Sequence, residues 1–151
     1  MADPRKLDES VEEVFATMLA LQCRRDDEAC REDGRERATA VVGFGGLLSG
    51  ACVFSCSEAA ARKIAAQMTG MDFAEIDATV KDAMGEICNM LAGSWKGRIP
   101  ELAARCELSV PAVITGRDYR LHVQAPEFQL RHGYRFDDMT FAVTIVCDGV
   151  V

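Results

Sequence analysis

The sequence lacks the features that would tie it to a membrane, a nucleic acid or a metal. Nowhere do about eighteen apolar residues run together, so no helix is expected to span a bilayer. The N-terminal MADPRKLDES has no apolar core of signal-peptide length, which makes the cytoplasm the expected location. Basic residues are outnumbered, 17 Lys and Arg against 24 Asp and Glu, giving a net charge of -7. No basic stripe appears, and nucleic-acid binding needs clustered cations to neutralise phosphates, so that partner class is excluded. The seven cysteines, Cys23, Cys30, Cys52, Cys56, Cys88, Cys106 and Cys147, are odd in number and include no CxxC pair, which argues against a disulfide framework. Cys52 and Cys56 would stand about 13 Å apart along a strand, too far to share a metal. The only two histidines, His122 and His132, fall in a strand-rich region and read as sheet or core residues. No nucleophile sits in a recognisable elbow, and no triad can be assigned.

What is present suits one soluble domain covering residues 1–151, with 49% hydrophobic and 27% charged residues. Ser10 and Glu13 form a capping-box pattern, so a first helix is expected to start there. Val11, Val14, Phe15, Met18 and Leu21 then supply its core face. The charged run from Arg24 to Arg37 reads as a solvated linker. Residues 38–44 and 47–55 predict a β-hairpin turning at Gly45-Gly46. A second helix follows, opened by the Ser55 to Glu58 capping pattern and closed at Gly70. A third, capped by Asp77 or Thr79, runs from about Val80 toward Trp95. From Cys106 onward, LSVPAVITG, DYRLHVQA, EFQLRHGYRF and MTFAVTIVCDG predict strands. Apolar strands such as MTFAVTIVCDG, expected to need an edge partner, lend a little support to a homodimer. The fold class is therefore α+β, with helices packed on a largely antiparallel β-sheet.

The third helix carries the candidate chemistry, in KDAMGEICNM. At about 100° per residue, Val80, Met84, Ile87 and Leu91 gather on an inner stripe while Asp82, Glu86 and Asn89 gather opposite. Outward polar residues need no function by themselves. Two features argue for one: Asn is a poor helix-interior residue, and Gly85 and Gly93 flank the same outer face at roughly 0.5–1 kcal/mol each relative to Ala. Small residues beside Glu86 and Asn89 would let a partner's backbone approach closely. Trp95 is expected to close the helix onto the core, whereas Lys96 could complement the helix dipole or steer an acidic partner.

The spacing Asp82-x3-Glu86-x2-Asn89, followed by AGSWKG and then by LSVPAVITG with Pro111 and Gly116, resembles the CheC/CheX family of chemotaxis phosphatases. A second copy of the motif fails, because Asp8 and Glu12 are followed by Phe15 at the third position; a single motif is similar to CheX. The resemblance implies a CheX-like domain that hydrolyses the aspartyl phosphate of a CheY-like response-regulator receiver, in chemotaxis or related two-component signalling. It implies a homodimer, no cofactor of its own, and Mg²⁺ on the partner receiver. Glu86 and Asn89 would be catalytic, Glu86 pairing with the receiver's lysine and Asn89 holding the attacking water. Asp82, Gly85, Gly93 and Lys96 would serve docking. The alternative is a non-catalytic receiver-binding or flagellar-switch-like adaptor of the same fold, which the presence of both Glu86 and Asn89 disfavours.

Overall fold

The computed structural model describes residues 3–28, 37–117, 119 and 128–149. Helix α1 (Arg5–Val14) begins ahead of the expected cap, with Asp3 Oδ1 accepting from the Arg5 backbone N–H at 3.0 Å. Ser10 therefore lies inside the helix and buried, where its hydroxyl donates to the Lys6 carbonyl at 2.8 Å and accepts from Arg98 Nε at 3.0 Å. Glu13 pairs with the Arg98 guanidinium instead of reaching back to Ser10. The helix continues as a π-turn, Phe15–Leu19, and ends at Ala20 in the left-handed region. That wider turn buries Phe15 and Leu19 but leaves Met18, assigned by periodicity to the core face, 45% exposed.

The strands are β1 (Arg24–Arg25), β2 (Arg37–Gly46), β3 (Leu48–Ser57), β4 (Cys106–Leu108), β5 (Ala112–Gly116), β6 (Phe128–Phe136) and β7 (Met139–Gly149). They form one antiparallel sheet in the order β1-β6-β7-β3-β2-β4, with β5 also on β2. Three expectations change. The start of the charged run is not linker, because β1 pairs with β6; its residues 29–36, including Cys30, lie outside the described residues. The hairpin turns at Leu47 and not at Gly45-Gly46, since both glycines extend β2 by pairing with Glu107 and Cys106 of β4. Gly46 sits at φ +88°, and a Cβ there would stand 2.4 Å from the Arg105 carbonyl oxygen. Finally, β7 is no edge: β3 and β6 flank it, so it needs no partner strand. Apart from Tyr119, the DYRLHVQA segment with His122 lies outside the described residues or at their margin.

Helix α2 (Glu58–Thr69) is capped by Ser57, whose Oγ accepts from Ala60 N, because β3 runs on past Ser55. It ends at Gly70 with φ +76°, as the sequence predicts. Helix α3 (Ala78–Gly97) is capped by Asp77, whose carboxylate accepts from Val80 N at 2.9 Å. All helices pack on one sheet face, and α3 touches α1 on one side, α2 on the other and β2–β3 beneath. Phe15, Phe54, Tyr134, Phe136 and Phe141 fill the core as a ring cluster, with Phe15 and Phe141 stacked at 4.5 Å.

Like Ser10 and Thr39, His132 is a polar residue in the interior, only 3% exposed, and its Nδ1 lies 2.9 Å from Asp8 Oδ1. The same carboxylate accepts from the Tyr134 hydroxyl at 2.8 Å and from Arg25 Nη1. Burial and then the Asp8 bond push the Tyr134 phenol up. Asp8 is thereby occupied as a fastener of α1 to β6, and Phe15 is core. The abortive second motif has a structural use of its own.

Candidate functional site

With α1 and α2 on its flanks, α3 exposes only its outer side. Val80, Met84, Ile87, Leu91 and Trp95 are all buried, and Trp95 meets Phe44 at 5.5 Å between ring centroids. Cys88 points inward as well, its thiol donating to the Ala40 and Cys52 carbonyls at 3.5 and 3.4 Å. The neighbouring Cys88 side chain, and then complete burial, hold the Cys52 thiol well above its usual range. A buried thiol kept protonated is inert, so the cysteines beneath the site act as small hydrophobes. Cys106 and Cys147 are buried too, as their apolar settings predict.

The outer side bears Asp82 and Glu86, both exposed, and Asn89, half-buried one turn beyond Glu86. Among the described residues, none of these three side chains has a hydrogen-bond partner, so their polar atoms are free to meet something else. The helix cannot rotate to hide them, because its other side is committed to the core. The pattern read from the sequence is thus brought together as a surface site.

Its surroundings depart from the sequence reading. Gly85 is buried, not a cleft for a partner: a Cβ there would stand 3.1 Å from Pro111 Cβ and 3.7 Å from Val113 Cγ2. The room it leaves is taken by the chain's own edge strand. Phe44 pairs with Leu108 and Val41 with Ala112, so residues 109–111 stand opposite only 42–43. This bulge splits the expected LSVPAVITG strand into β4 and β5, and Pro111, which has no N–H to pair, presses its ring on Gly85. Ser109 holds the bulge to β2, its Oγ accepting from Gly43 N at 2.8 Å and its N–H donating to the Gly43 carbonyl at 2.9 Å.

Gly93 is half-buried beside Asn89, with Leu108 Cδ1 3.8 Å from where its Cβ would be. Lys96 is not a free probe for a partner, because Nζ donates to the Ala103 carbonyl at 2.7 Å and ties down the turn after the helix. Arg98, which the sequence did not single out, clamps the end of α3 to α1 through Ser10, Glu9 and Glu13. Between α1, α3 and β4 lies a groove of about 450 Å³ whose walls include Asn89, Met18, Met90, Gly93, Ser94 and Leu108. Its residues are scattered over three elements, and no local spacing could have assembled them.

Among the described residues, no group of three or more His, Cys, Asp or Glu is placed to hold a metal ion, and no helix is long and apolar enough to cross a membrane.

Known proteins agree with this architecture. A family model described as chemotaxis phosphatase CheX matches residues 38–131, a span that contains the whole of α3 and the bulged edge. The CheY-P phosphatase CheX of Thermotoga maritima is 32% identical over 82 residues, 54% of this chain and 53% of that protein, so the match spans about half the relative's length. The chemotaxis protein CheX of Vibrio vulnificus superposes with a TM-score of 0.81 over 95% of each chain at 19% identity. A CheX from Borrelia burgdorferi, solved as a CheX–CheY–BeF3–Mg²⁺ complex, superposes at 0.73 over 95% of this chain and 96% of that one, at 15% identity. At such identities the superpositions establish the α+β fold.

Proposed function

Because this chain belongs to the CheX family of chemotaxis phosphatases, we propose that it hydrolyses the aspartyl phosphate of a CheY-like receiver domain, in the cytoplasm and in chemotaxis or related two-component signalling. The observation that carries this reading is the pair Glu86 and Asn89, unpartnered among the described residues and one turn apart on a helix anchored along its entire inner stripe.

An acyl phosphate already has a good leaving group, so catalysis needs chiefly a water placed in line and charge neutralised at the phosphoryl oxygens. The receiver would bring Mg²⁺ and a lysine for the second task. Asn89 would perform the first: its neutral amide can hold water by hydrogen bonding without adding negative charge beside the phosphoryl group. Glu86 would pair with the receiver's lysine and anchor α3 in the site. Exposed Asp82, one turn earlier, would support docking, and Gly93 would keep the helix surface low beside Asn89. The close packing on Gly85 holds α3 against the sheet edge and so fixes where both side chains stand.

Incubation with phosphorylated receivers, timing the loss of phosphate, tests the reading. Acceleration is expected, and a protein that binds a receiver without accelerating the loss would be an adaptor. Glu86→Ala is expected to weaken affinity for a receiver carrying a phosphoryl mimic by about tenfold or more, since it leaves the partner's cation unpaired. Unchanged affinity in a titration would remove Glu86 from its role. We also read the chain as a homodimer, on the strength of the single motif, and light scattering should return twice the 16.5 kDa chain mass. A mass of one chain at micromolar concentration would overturn that.

A further inference from the structure

We propose that the groove beside Asn89 is a specificity pocket, which selects among receivers by taking an uncharged, apolar side chain that lies on the receiver surface next to the phosphorylated aspartate; the inference rests on the phosphatase reading above.

Asn89 is itself one wall of the groove. Any protein that presents a phosphoryl group to Asn89 must therefore lay the adjoining part of its surface across the opening, and the groove is continuous with the catalytic contact. At about 450 Å³ it has the size of an ordinary binding pocket. Its remaining walls are mainly apolar, from Met18 and Val14 on one side and Met90 and Leu108 on the other. The acidic residue at its rim, Glu13, is already paired with Arg98. An apolar side chain is what such walls accept without leaving a charge unpaired.

Two local features keep the groove open at a cost to the fold. Met18 follows Val11 by two helical turns and would share its buried stripe on a regular helix. The π-turn at Phe15–Leu19 inserts extra residues into that repeat, which carries Met18 outward to 45% exposure while Phe15 and Leu19 stay buried. π-turns recur at functional sites because they re-aim side chains at the expense of hydrogen-bond geometry. On the facing helix, Gly93 is not required by packing, since an added Cβ would only touch Leu108 Cδ1 at 3.8 Å. Glycine there gives up helix stability and leaves the groove deep. Methionine walls are flexible and polarizable, which suits a pocket that moulds itself to one side chain.

The test uses the full chain and a CheY-like receiver phosphorylated from a small acyl phosphate. Met18→Asp puts a charge at the mouth of the groove, at a position already exposed, and is expected to raise KM at least about fivefold with kcat within about twofold, the signature of lost uniform binding. Gly93→Leu fills the groove and is expected to do the same. Met71→Asp, at a residue 58% exposed beyond the end of α2, is expected to leave both constants unchanged. Thermal melts of the variants confirm that each is folded. A parent-like KM for a folded Met18→Asp and a folded Gly93→Leu overturns the pocket while leaving the phosphatase reading intact. If the parent does not accelerate phosphate loss, the phosphatase reading fails by itself. Affinity for a receiver carrying a phosphoryl mimic then decides the pocket: about fivefold weakening by Met18→Asp sustains it, and equal affinity or no binding by the parent overturns it.

Discussion

Asn89→Ala is expected to slow dephosphorylation of a receiver at least about tenfold, equivalent to about 1.4 kcal/mol in the barrier, while leaving receiver affinity nearly intact. The split follows from position. Asn89 is half-buried on the outer side of α3, and in the proposed complex it contacts the attacking water and not the receiver's lysine. Removing it therefore deletes an interaction made chiefly in the transition state, which lowers kcat and kcat/KM together. The fold should tolerate the change, because the amide has no partner among the described residues and alanine is the better helix former. Single-turnover decay of labelled phosphoreceiver gives the rate, and titration with a phosphoryl mimic gives the affinity. A variant as fast as the parent would sink the water-positioning role.

A comparable loss, of stability this time, is expected from one methyl group at Gly50. A Cβ there would lie 2.0 Å from the Val146 carbonyl oxygen and 2.6 Å from Cys147 Cα, on backbone that has no room to move without breaking the pairing of β3 with β7. Its φ of +159° adds little; the clash itself is decisive. Gly50→Ala should cost about 3 kcal/mol, the upper end of what overpacking a rigid site incurs. Gly45→Ala is the control: nothing lies within 4 Å of its added Cβ, so the same change in an adjacent strand should fall within about 0.5 kcal/mol of the parent. Urea unfolding of the two variants compares them directly, and equal midpoints would show that the sheet can yield at Gly50.

Much of the fold was legible because its signals are local. The inner stripe of α3, the Asp77 cap and the Gly70 stop each depend on residues within about four positions, the reach of helical hydrogen bonds and side-chain neighbours. The strands β6 and β7 stood out by composition, and their register follows from the tight connection at Asp137-Asp138. The misreadings have one origin. Ser10 looked like a cap because a serine followed by a glutamate three residues on is a local signature, yet Arg98, far along the chain, claims both. Gly45-Gly46 looked like a turn because a pair of glycines usually is, yet β4 pairs with both. Met18 fitted the apolar period until a π-turn shifted the phase.

The candidate site divides along the same line. Sequence alone determined that Asp82, Glu86 and Asn89 share one side of a helix, opposite a stripe that must be buried, because helical periodicity converts spacing into direction. Tertiary structure alone decided what stands around them: Pro111 seated on Gly85, Lys96 drawn to the Ala103 carbonyl, and Met18, Met90 and Leu108 gathered beside Asn89. Met18, Leu108 and Pro111 come from the π-turn after α1, from β4 and from the bulge before β5, and only the closing of one sheet beneath α3 brings segments so distant in sequence within reach of one another.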